Sequence, residues 1–270
     1  MENAAGAWAP IIDTHVHIFD TSLPLVADAT NRPKYDFSAD DLLATFDREG
    51  VLFGVLTAPS FLGTFNDYAL AALKRHRRLR ATVILEPDTD PRLMRDLADA
   101  GVVGVRFSLR SYKTIPDLAQ ADWQRFLRRV RDLDWYVHVL AETERNAVMV
   151  PLLDAAGVKL VLDHYAKPEH MPLAADPGLQ ATLRAVDNGR TWVKISAPYR
   201  CGKIDFVELT STLLARAGTE RLLWGSDCPW VAHEGGFDYR DTIRWFEEAI
   251  PDRATREAIG RTGLALNRFV

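Results

Sequence analysis

The sequence predicts one α/β domain over residues 1–270, folded as a distorted (β/α)8 TIM barrel. Three observations predict it: eight short apolar runs rich in β-branched residues, amphipathic stretches between most of them, and a length of 270 residues, which fits one barrel better than two domains. Most runs are continuously apolar, as in parallel strands covered on both faces. An open doubly wound sheet is the less favoured alternative.

The predicted strands are spread over the whole chain. They span 11–19, 51–58, 80–85, 102–108, 136–141, 159–162, 191–196 and 222–225. Ser38 and Asp41 resemble a capping box at the start of a helix that ends at Gly50. Asp90-Pro91 indicates the start of another helix, with Asp90 as the cap and proline in the first turn. Further helices are expected from Asn66, from Asp122, and over 150–156, 205–217 and 239–250. The gap over residues 20–37 predicts a loop over the barrel mouth.

Charge and composition exclude several classes of function. The chain has 33 Lys and Arg against 37 Asp and Glu, so it has no overall basic field and nucleic acid is not an expected partner. The basic runs over 74–80 and 125–131 are interpreted as solvated helix faces. No apolar run approaches the roughly 20 residues needed to cross a bilayer, so no membrane association is expected.

The two cysteines indicate a reducing environment. Cys201 and Cys228 lie far apart without a CxxC pattern, which argues against a disulfide scaffold and a thiolate zinc site. The first residues carry an early acid and no apolar signal region. We therefore expect a cytoplasmic protein, and an oligomer is possible.

Polar residues collect where the predicted strands end. His15 and His17 are two apart on the first strand, so both rings project to one face; His164 follows the sixth strand and Asp227 the eighth. Active sites of such barrels lie at the C-terminal ends of the strands. A carboxylate there can take a proton from water. The simpler interpretation of Asp227 is a turn or capping acid, and that of the histidines is a pair of buried core side chains.

Six short segments carry a resemblance to a known family. They are IDTHVH at 12–17, APSFLGT at 58–64, GVRF at 104–107, LDH at 162–164, WVKIS at 192–196 and WGSD at 224–227. Together they make the chain similar to the amidohydrolase superfamily, and more closely to its branch of dicarboxylate lactonases, which includes 2-pyrone-4,6-dicarboxylate hydrolases. The resemblance covers nearly the whole chain. It implies a distorted TIM barrel that hydrolyses a lactone or a related carboxylated ring.

The resemblance also implies roles for individual residues. Asp227 matches the aspartate that acts as general base, and the strand-one and strand-six histidines correspond to His15, His17 and His164. In the wider superfamily these four bind one or two divalent metals, whereas the pyrone lactonase branch works without metal. We therefore expect no cofactor. The alternative is one zinc or manganese ion on the same four residues.

Substrate contacts follow from the same resemblance and from charge. Arg106 matches an arginine that grips a substrate carboxylate, and Ser60 and Arg200 match further contacts. An arginine inside an apolar strand must be paired, and an anionic substrate is a natural partner; a structural pair with Asp13 or Glu142 is the alternative. Further cations at or beyond strand ends are Arg110, Lys113, Lys167 and Arg200. Arg110 and Lys113 are equally well explained as exposed loop residues.

The chain departs from the family pattern at three places. Leu140 stands where metal-binding members have a strand-five histidine, and His138 lies one layer deeper, where a core histidine is the favoured interpretation. Lys167 replaces an expected arginine and offers a point charge without a bidentate fork. Trp230 replaces a histidine found in some relatives. The first departure argues against a full metal site, and the others bear on the substrate.

The residues predict a hydrolase in which Asp227 activates water to attack a lactone carbonyl. Imidazole donors from His15, His17 and His164 then stabilise the oxyanion, with about 3–4 kcal/mol per donor. Ser226 is not favoured as a nucleophile, because no GxSxG elbow surrounds it. Alternatives are a metal-dependent decarboxylase of the same superfamily, a lactone isomerase, and a barrel that binds an aromatic acid without turnover. The expected partner is a small anionic carboxylated molecule.

Overall fold

Eight parallel strands form the centre of the protein. The computed structural model describes residues 6–109 and 114–270. The strands are β1 Ile12–Val16, β2 Phe53–Thr57, β3 Leu79–Val83, β4 Val102–Ser108, β5 Tyr136–Leu140, β6 Lys159–Leu162, β7 Thr191–Ser196 and β8 Leu222–Gly225. Each pairs with the next in chain order in one sheet. The predicted eight strands are confirmed, with ends that differ by a few residues at most.

The sheet closes between β1 and β8 at the C-terminal ends of these strands. The amide of His17 donates to the Cys228 carbonyl at 2.8 Å, and the amide of Asp227 donates to the His15 carbonyl at 2.9 Å. Along β1, the register against β2 shifts between Asp13 and Val16. The barrel is therefore nearly closed and irregular at β1, which confirms the expected distorted TIM barrel.

Nine α-helices in the described part of the chain surround the strands. They are α1 Ala39–Glu49, α2 Asp67–Arg75, α3 Pro91–Asp99, α4 Ala121–Asp132, α5 Thr143–Ala155, α6 Pro177–Asp187, α7 Phe206–Ala217, α8 Tyr239–Ala249 and α9 Arg253–Leu266. The capping box of Ser38 with Asp41 is present, as is the Asp90 cap before Pro91. Gly50 ends α1 at a φ of 83°, a left-handed conformation that glycine adopts without strain. None of these helices is long and apolar enough to cross a membrane.

The prediction of a helix over 150–156 is wrong about where that helix begins. Helix α5 begins at Thr143, so Pro151 lies inside it rather than at its first turn. Helices α6 and α9 were not expected from the sequence. Helix α6 has the same signal as α3, because the Asp176 side chain caps it and Pro177 fills its first position.

The barrel interior is layered. An apolar cluster that fills its N-terminal end includes one residue from most strands: Ile12, Val55, Val103, Tyr136, Val161, Trp192 and Leu223. Two residues further along β5, β6 and β7 come His138, Asp163 and Lys194, all fully or almost fully buried. Because inward-facing side chains recur every second residue, a polar layer lies directly above the apolar one.

The segment over 20–37 lies at the barrel mouth, as its length predicts. Phe19 and Phe37 exchange backbone hydrogen bonds of 2.9 and 3.0 Å at its base, and the Val26 amide donates to the Phe61 carbonyl at 2.9 Å. The Tyr35 hydroxyl donates to Glu234 at 3.0 Å, which ties this segment to the loop after β8. The mouth is thus covered by two connected loops.

Candidate active site

A cavity of about 350 Å³ opens at the C-terminal ends of the strands. Its polar lining comes from the ends of six strands and from the loops that follow them: His17, Thr30, Asn31, Ser60, Arg106, Ser108, His164, Lys167, Tyr199, Arg200, Asp227 and His233. Leu140 adds an apolar side chain. This end of a TIM barrel is where catalytic residues are found.

Four residues that the sequence singled out meet at the floor of this cavity. Asp227 Oδ1 lies 3.4 Å from the Nε2 atoms of both His15 and His17, and 3.8 Å from that of His164. We call His15, His17, His164 and Asp227 the upper cluster. His15 is fully buried and does not line the cavity, whereas the other three do. A substrate therefore has direct access to His17, His164 and Asp227.

The far nitrogen of each ring has an oxygen partner. Nδ1 of His17 donates to the Thr57 carbonyl at 2.8 Å, so a neutral His17 presents the lone pair of Nε2 to the cavity. Nδ1 of His164 lies 3.0 Å from Ser196 Oγ, which can donate to it and leave the Nε2 proton free. Burial lowers the pKa of His164 to about 4. The three rings are thus fixed, and His164 is neutral at pH 7.

Asp227 is bound on its second oxygen by two further residues. The Tyr199 hydroxyl donates to Oδ2 at 2.6 Å, and Arg200 Nε donates to the same oxygen at 2.7 Å. Burial alone would raise the pKa of this carboxyl. The neighbouring Arg200 guanidinium and the histidine rings of the upper cluster outweigh burial and hold the pKa well below its usual range. Asp227 is therefore ionised at neutral pH, and Oδ1 is the oxygen left to accept a proton.

A second group of polar side chains lies one layer deeper. Asp163 Oδ1 contacts His15 Nδ1 at 2.9 Å and accepts from His138 Nε2, and Lys194 Nζ lies 3.5 Å from the same oxygen. We call His15, His138 and Asp163 the lower cluster. Burial lowers the pKa of His138 to about 3 and that of Lys194 to about 8, so at pH 7 the ring is neutral and the lysine is charged. His138 is a buried residue with polar partners, as expected.

Arg106 is paired within the protein. Nη1 donates to the Ala58 carbonyl at 2.6 Å and Nη2 donates to Asp163 Oδ2 at 3.1 Å. The alternative prediction, a structural pair of Arg106 with Asp13 or Glu142, is wrong, because the carboxylate that binds Arg106 is Asp163. Asp13 instead accepts from the Tyr239 hydroxyl at 2.8 Å. Arg106 still lines the cavity, so it contacts a carboxylate on one side and borders the cavity on the other.

The remaining predicted residues are placed as follows. Ser60 and Lys167 line the cavity, and Lys167 Nζ lies 3.3 Å from Glu169. Arg110 and Lys113 fall outside the described residues. The Trp230 ring nitrogen donates to the Ser226 carbonyl at 3.1 Å, and this residue is not part of the lining.

Sequence reasoning did not assign roles to Asp163, Lys194, Tyr199 or His233. Lys194 had a usable signal, because a lysine within an apolar strand needs a partner as much as Arg106 does. Asp163 ends the sixth strand beside His164 and could have been found in the same way. Tyr199 and His233 lie in loops, where sequence spacing gives little information about the direction in which a side chain points.

The upper cluster has the chemistry of a metal site. Ring nitrogens of His15 and His164 and a carboxylate oxygen of Asp227 lie within 4.8 Å of one another, and His17 adds a fourth donor. Histidine and carboxylate are ligands that zinc and manganese accept. The oxygen partners of the far ring nitrogens are typical of metal-binding histidines. The residues present therefore fit a divalent ion.

The fold and these side chains define a TIM-barrel enzyme whose site is built from strand-one histidines and a strand-eight aspartate. A family model described as Amidohydrolase matches residues 12–262. The chain belongs to the amidohydrolase family, which confirms the resemblance seen in the sequence.

Similar proteins include structures and enzymes named for lactones. A structure from Acinetobacter baumannii, provisionally described as a 2-pyrone-4,6-dicarboxylic acid hydrolase and holding citric acid, has a TM-score of 0.90 and 29% identity over 97% of this chain and 100% of that one. A structure from Pseudomonas putida with the same provisional description has a TM-score of 0.87 and 33% identity over 96% and 97%. The 4-sulfomuconolactone hydrolase of Rhizobium radiobacter is 27% identical over 94% of this chain and 87% of that protein.

Proposed function

We propose that this protein is a hydrolase that opens a carboxylated lactone by attack of an Asp227-activated water on the ring carbonyl. The observation that carries the proposal is the position of the Asp227 carboxylate, which faces fixed imidazoles at the floor of a cavity lined by Arg106, Lys167 and Arg200. The lactone-hydrolysing relatives support the same reaction class.

Asp227 acts as the base. Its Oδ1 accepts a proton from water as the water oxygen bonds to the lactone carbonyl carbon, and Tyr199 and Arg200 hold Oδ2 so that Oδ1 keeps its direction. The resulting tetrahedral intermediate collapses by breaking the ring C–O bond. The proton held by Asp227 then passes to the leaving ring oxygen, which gives an open-chain acid and returns the site to its initial state.

The oxyanion of the intermediate needs donors, and the three histidines differ in this respect. His164 can donate from Nε2, because Ser196 can satisfy its Nδ1. A neutral His17 cannot, because its proton is committed to the Thr57 carbonyl. His15 has no access to the cavity. We therefore assign oxyanion stabilisation to His164 and orientation of the attacking water to His17.

The charge around the cavity favours an anionic substrate. Arg106, Lys167 and Arg200 line it and Lys194 lies beneath, whereas Asp163, Glu169 and Asp227 are the carboxylates in contact with these four cations. The positive excess attracts and orients a carboxylate. We infer a small lactone that carries at least one carboxylate as the substrate.

Metal is proposed not to be required, because Arg200, Tyr199 and the fixed rings already hold Asp227 ionised and in place. When bound, a divalent ion on His15, His17, His164 and Asp227 would supply Lewis-acid polarisation of the carbonyl. The roles of Arg106 and Lys167 in holding the substrate are the same in either case.

The experiment is a hydrolysis screen of mono- and dicarboxylated lactones, with wild type, Asp227→Asn and Asp28→Asn. Asp28 is an exposed loop acid and serves as the matched control. We expect wild type and Asp28→Asn to turn over a carboxylated lactone, and kcat of Asp227→Asn to fall by roughly 10²–10⁴-fold with unchanged circular dichroism. Wild-type kcat in Asp227→Asn would remove this residue from the mechanism. Decarboxylation without ring opening would replace hydrolysis by the lyase alternative.

A further inference from the structure

The ammonium of Lys194 lies inside a group of atoms that resembles a metal site. Its Nζ is 3.0 Å from His138 Nε2, 3.2 Å from His15 Nδ1 and 3.5 Å from Asp163 Oδ1. The lysine is 1% exposed and neither it nor the lower cluster opens to the cavity. A buried ammonium is costly unless it is paired, and here Asp163 supplies the negative charge.

The lower cluster is itself a set of metal-type donors. His15, His138 and Asp163 each offer one ligand atom, and these atoms lie within 4.8 Å of one another. Two imidazole nitrogens and one carboxylate oxygen are ligands that zinc accepts. His15 belongs to both clusters, with Nε2 toward Asp227 and Nδ1 toward Asp163. The chain therefore has two adjacent donor sets that share one ring.

We propose that Lys194 is the resident cation of the lower cluster, that it takes the place of a second divalent ion, and that it limits the active site to at most one ion, in the upper cluster. Zinc ligands lie at about 2.0–2.3 Å from the metal, so an ion on these three atoms would overlap Nζ. The charge balance also disfavours a divalent ion in the lower cluster. Asp163 already binds Arg106 through Oδ2, and a further double positive charge in this buried position would have no counter-charge.

Zinc alone is the probe, and the readout needs no substrate. Wild type, Lys194→Ala, Lys194→Ala/Asp163→Asn and Lys159→Ala are dialysed against excess zinc chloride and then free buffer, and bound zinc is measured by elemental analysis. Lys159 is a partly exposed lysine paired with Asp134 and controls for loss of one positive charge. We expect Lys194→Ala to hold one zinc more than wild type, and the double variant and Lys159→Ala to match wild type.

A folded Lys194→Ala that gains no zinc would overturn the proposal, as would a gain that persists in the double variant. Wild-type crystals soaked in zinc chloride give a second measurement that does not depend on a variant folding. An anomalous peak among His15, His138 and Asp163 would overturn the proposal, and Lys194 density there without such a peak would support it. Because neither readout uses a lactone, failure here can be distinguished from failure of the proposed lactonase activity.

Discussion

Arg106 contacts the buried Asp163 and also lines the cavity, so a substitution there can test whether it binds the substrate. Arg106→Lys keeps the charge but cannot reach both the Ala58 carbonyl and Asp163 while it also binds a ligand. We expect kcat/KM for a dicarboxylated lactone to fall by roughly 10–100-fold, the range of one lost charge-assisted hydrogen bond. A monocarboxylated analogue without the bound group should lose much less.

Arg75→Lys is the matched control, because Arg75 is exposed and pairs with Asp40 at the surface. It should leave both substrates unaffected. Equal losses on the two lactones with Arg106→Lys would assign Arg106 to maintenance of the barrel interior instead of substrate binding.

The meeting of the residues at the strand ends could be predicted from the sequence, and the contacts among the residues beneath them could not. His15, His17, His164 and Asp227 meet because the C-terminal ends of barrel strands share one face. The pair of Arg106 with Asp163 joins β4 to the end of β6. Which inward residues share a layer depends on the stagger of the strands around the barrel, and apolar runs do not reveal that stagger. The same reason hides the contact of Lys194 with His15.

At the scale of elements, the start of α5 departs from the sequence prediction, and a proline is the reason. Pro151 suggests a helix start, since proline is favoured in the first turn. The helix begins eight residues before this proline, at Thr143, and the side chain of the preceding Glu142 makes no capping hydrogen bond, so the usual capping signal does not mark the true start. Helix α6 has such a signal at Asp176 and Pro177 and was predictable by the rule that found α3.

Pro151→Ala tests the cost of this interior proline. The substitution restores an amide that can donate to the carbonyl four residues earlier and removes the ring clash. We expect the free energy of unfolding in urea to rise by about 1–3 kcal/mol. Pro177→Ala is the matched control, because Pro177 occupies the first position of α6, where the amide has no partner within the helix. A gain of equal size at Pro177 would show that proline position is not the cause.

At the scale of the whole molecule, the protein purified without added metal should already be active. We expect activity to survive exhaustive chelation, with less than one equivalent of zinc or manganese by elemental analysis. Stoichiometric metal, with activity lost on removal and restored by adding it back, would contradict this. It would then make His15, His17, His164 and Asp227 ligands, a role that their geometry permits.

The buried titratable groups also predict how stability depends on pH. Burial lowers the pKa of His15 well below its usual value, that of His138 to about 3 and that of His164 to about 4. Below the ordinary histidine pKa near 6.5, the unfolded chain therefore binds protons that the folded chain excludes. Each such histidine lowers the free energy of unfolding by about 1.4 kcal/mol per pH unit as the pH falls between its two pKa values.

Asp13 acts in the opposite direction. Burial raises its pKa to about 6, so the folded protein takes up one proton there before the unfolded chain does, which offsets one of the three histidines. The net expectation is a marked fall in the free energy of unfolding from pH 6.5 to pH 4.5, measured in urea at each pH. His138→Gln removes one of these groups and should reduce the slope by about 1.4 kcal/mol per pH unit, whereas His170→Gln, at an exposed histidine, should not. If the free energy of unfolding of wild type did not change with pH, these rings would take up protons in the folded protein over the same pH range as in the unfolded chain.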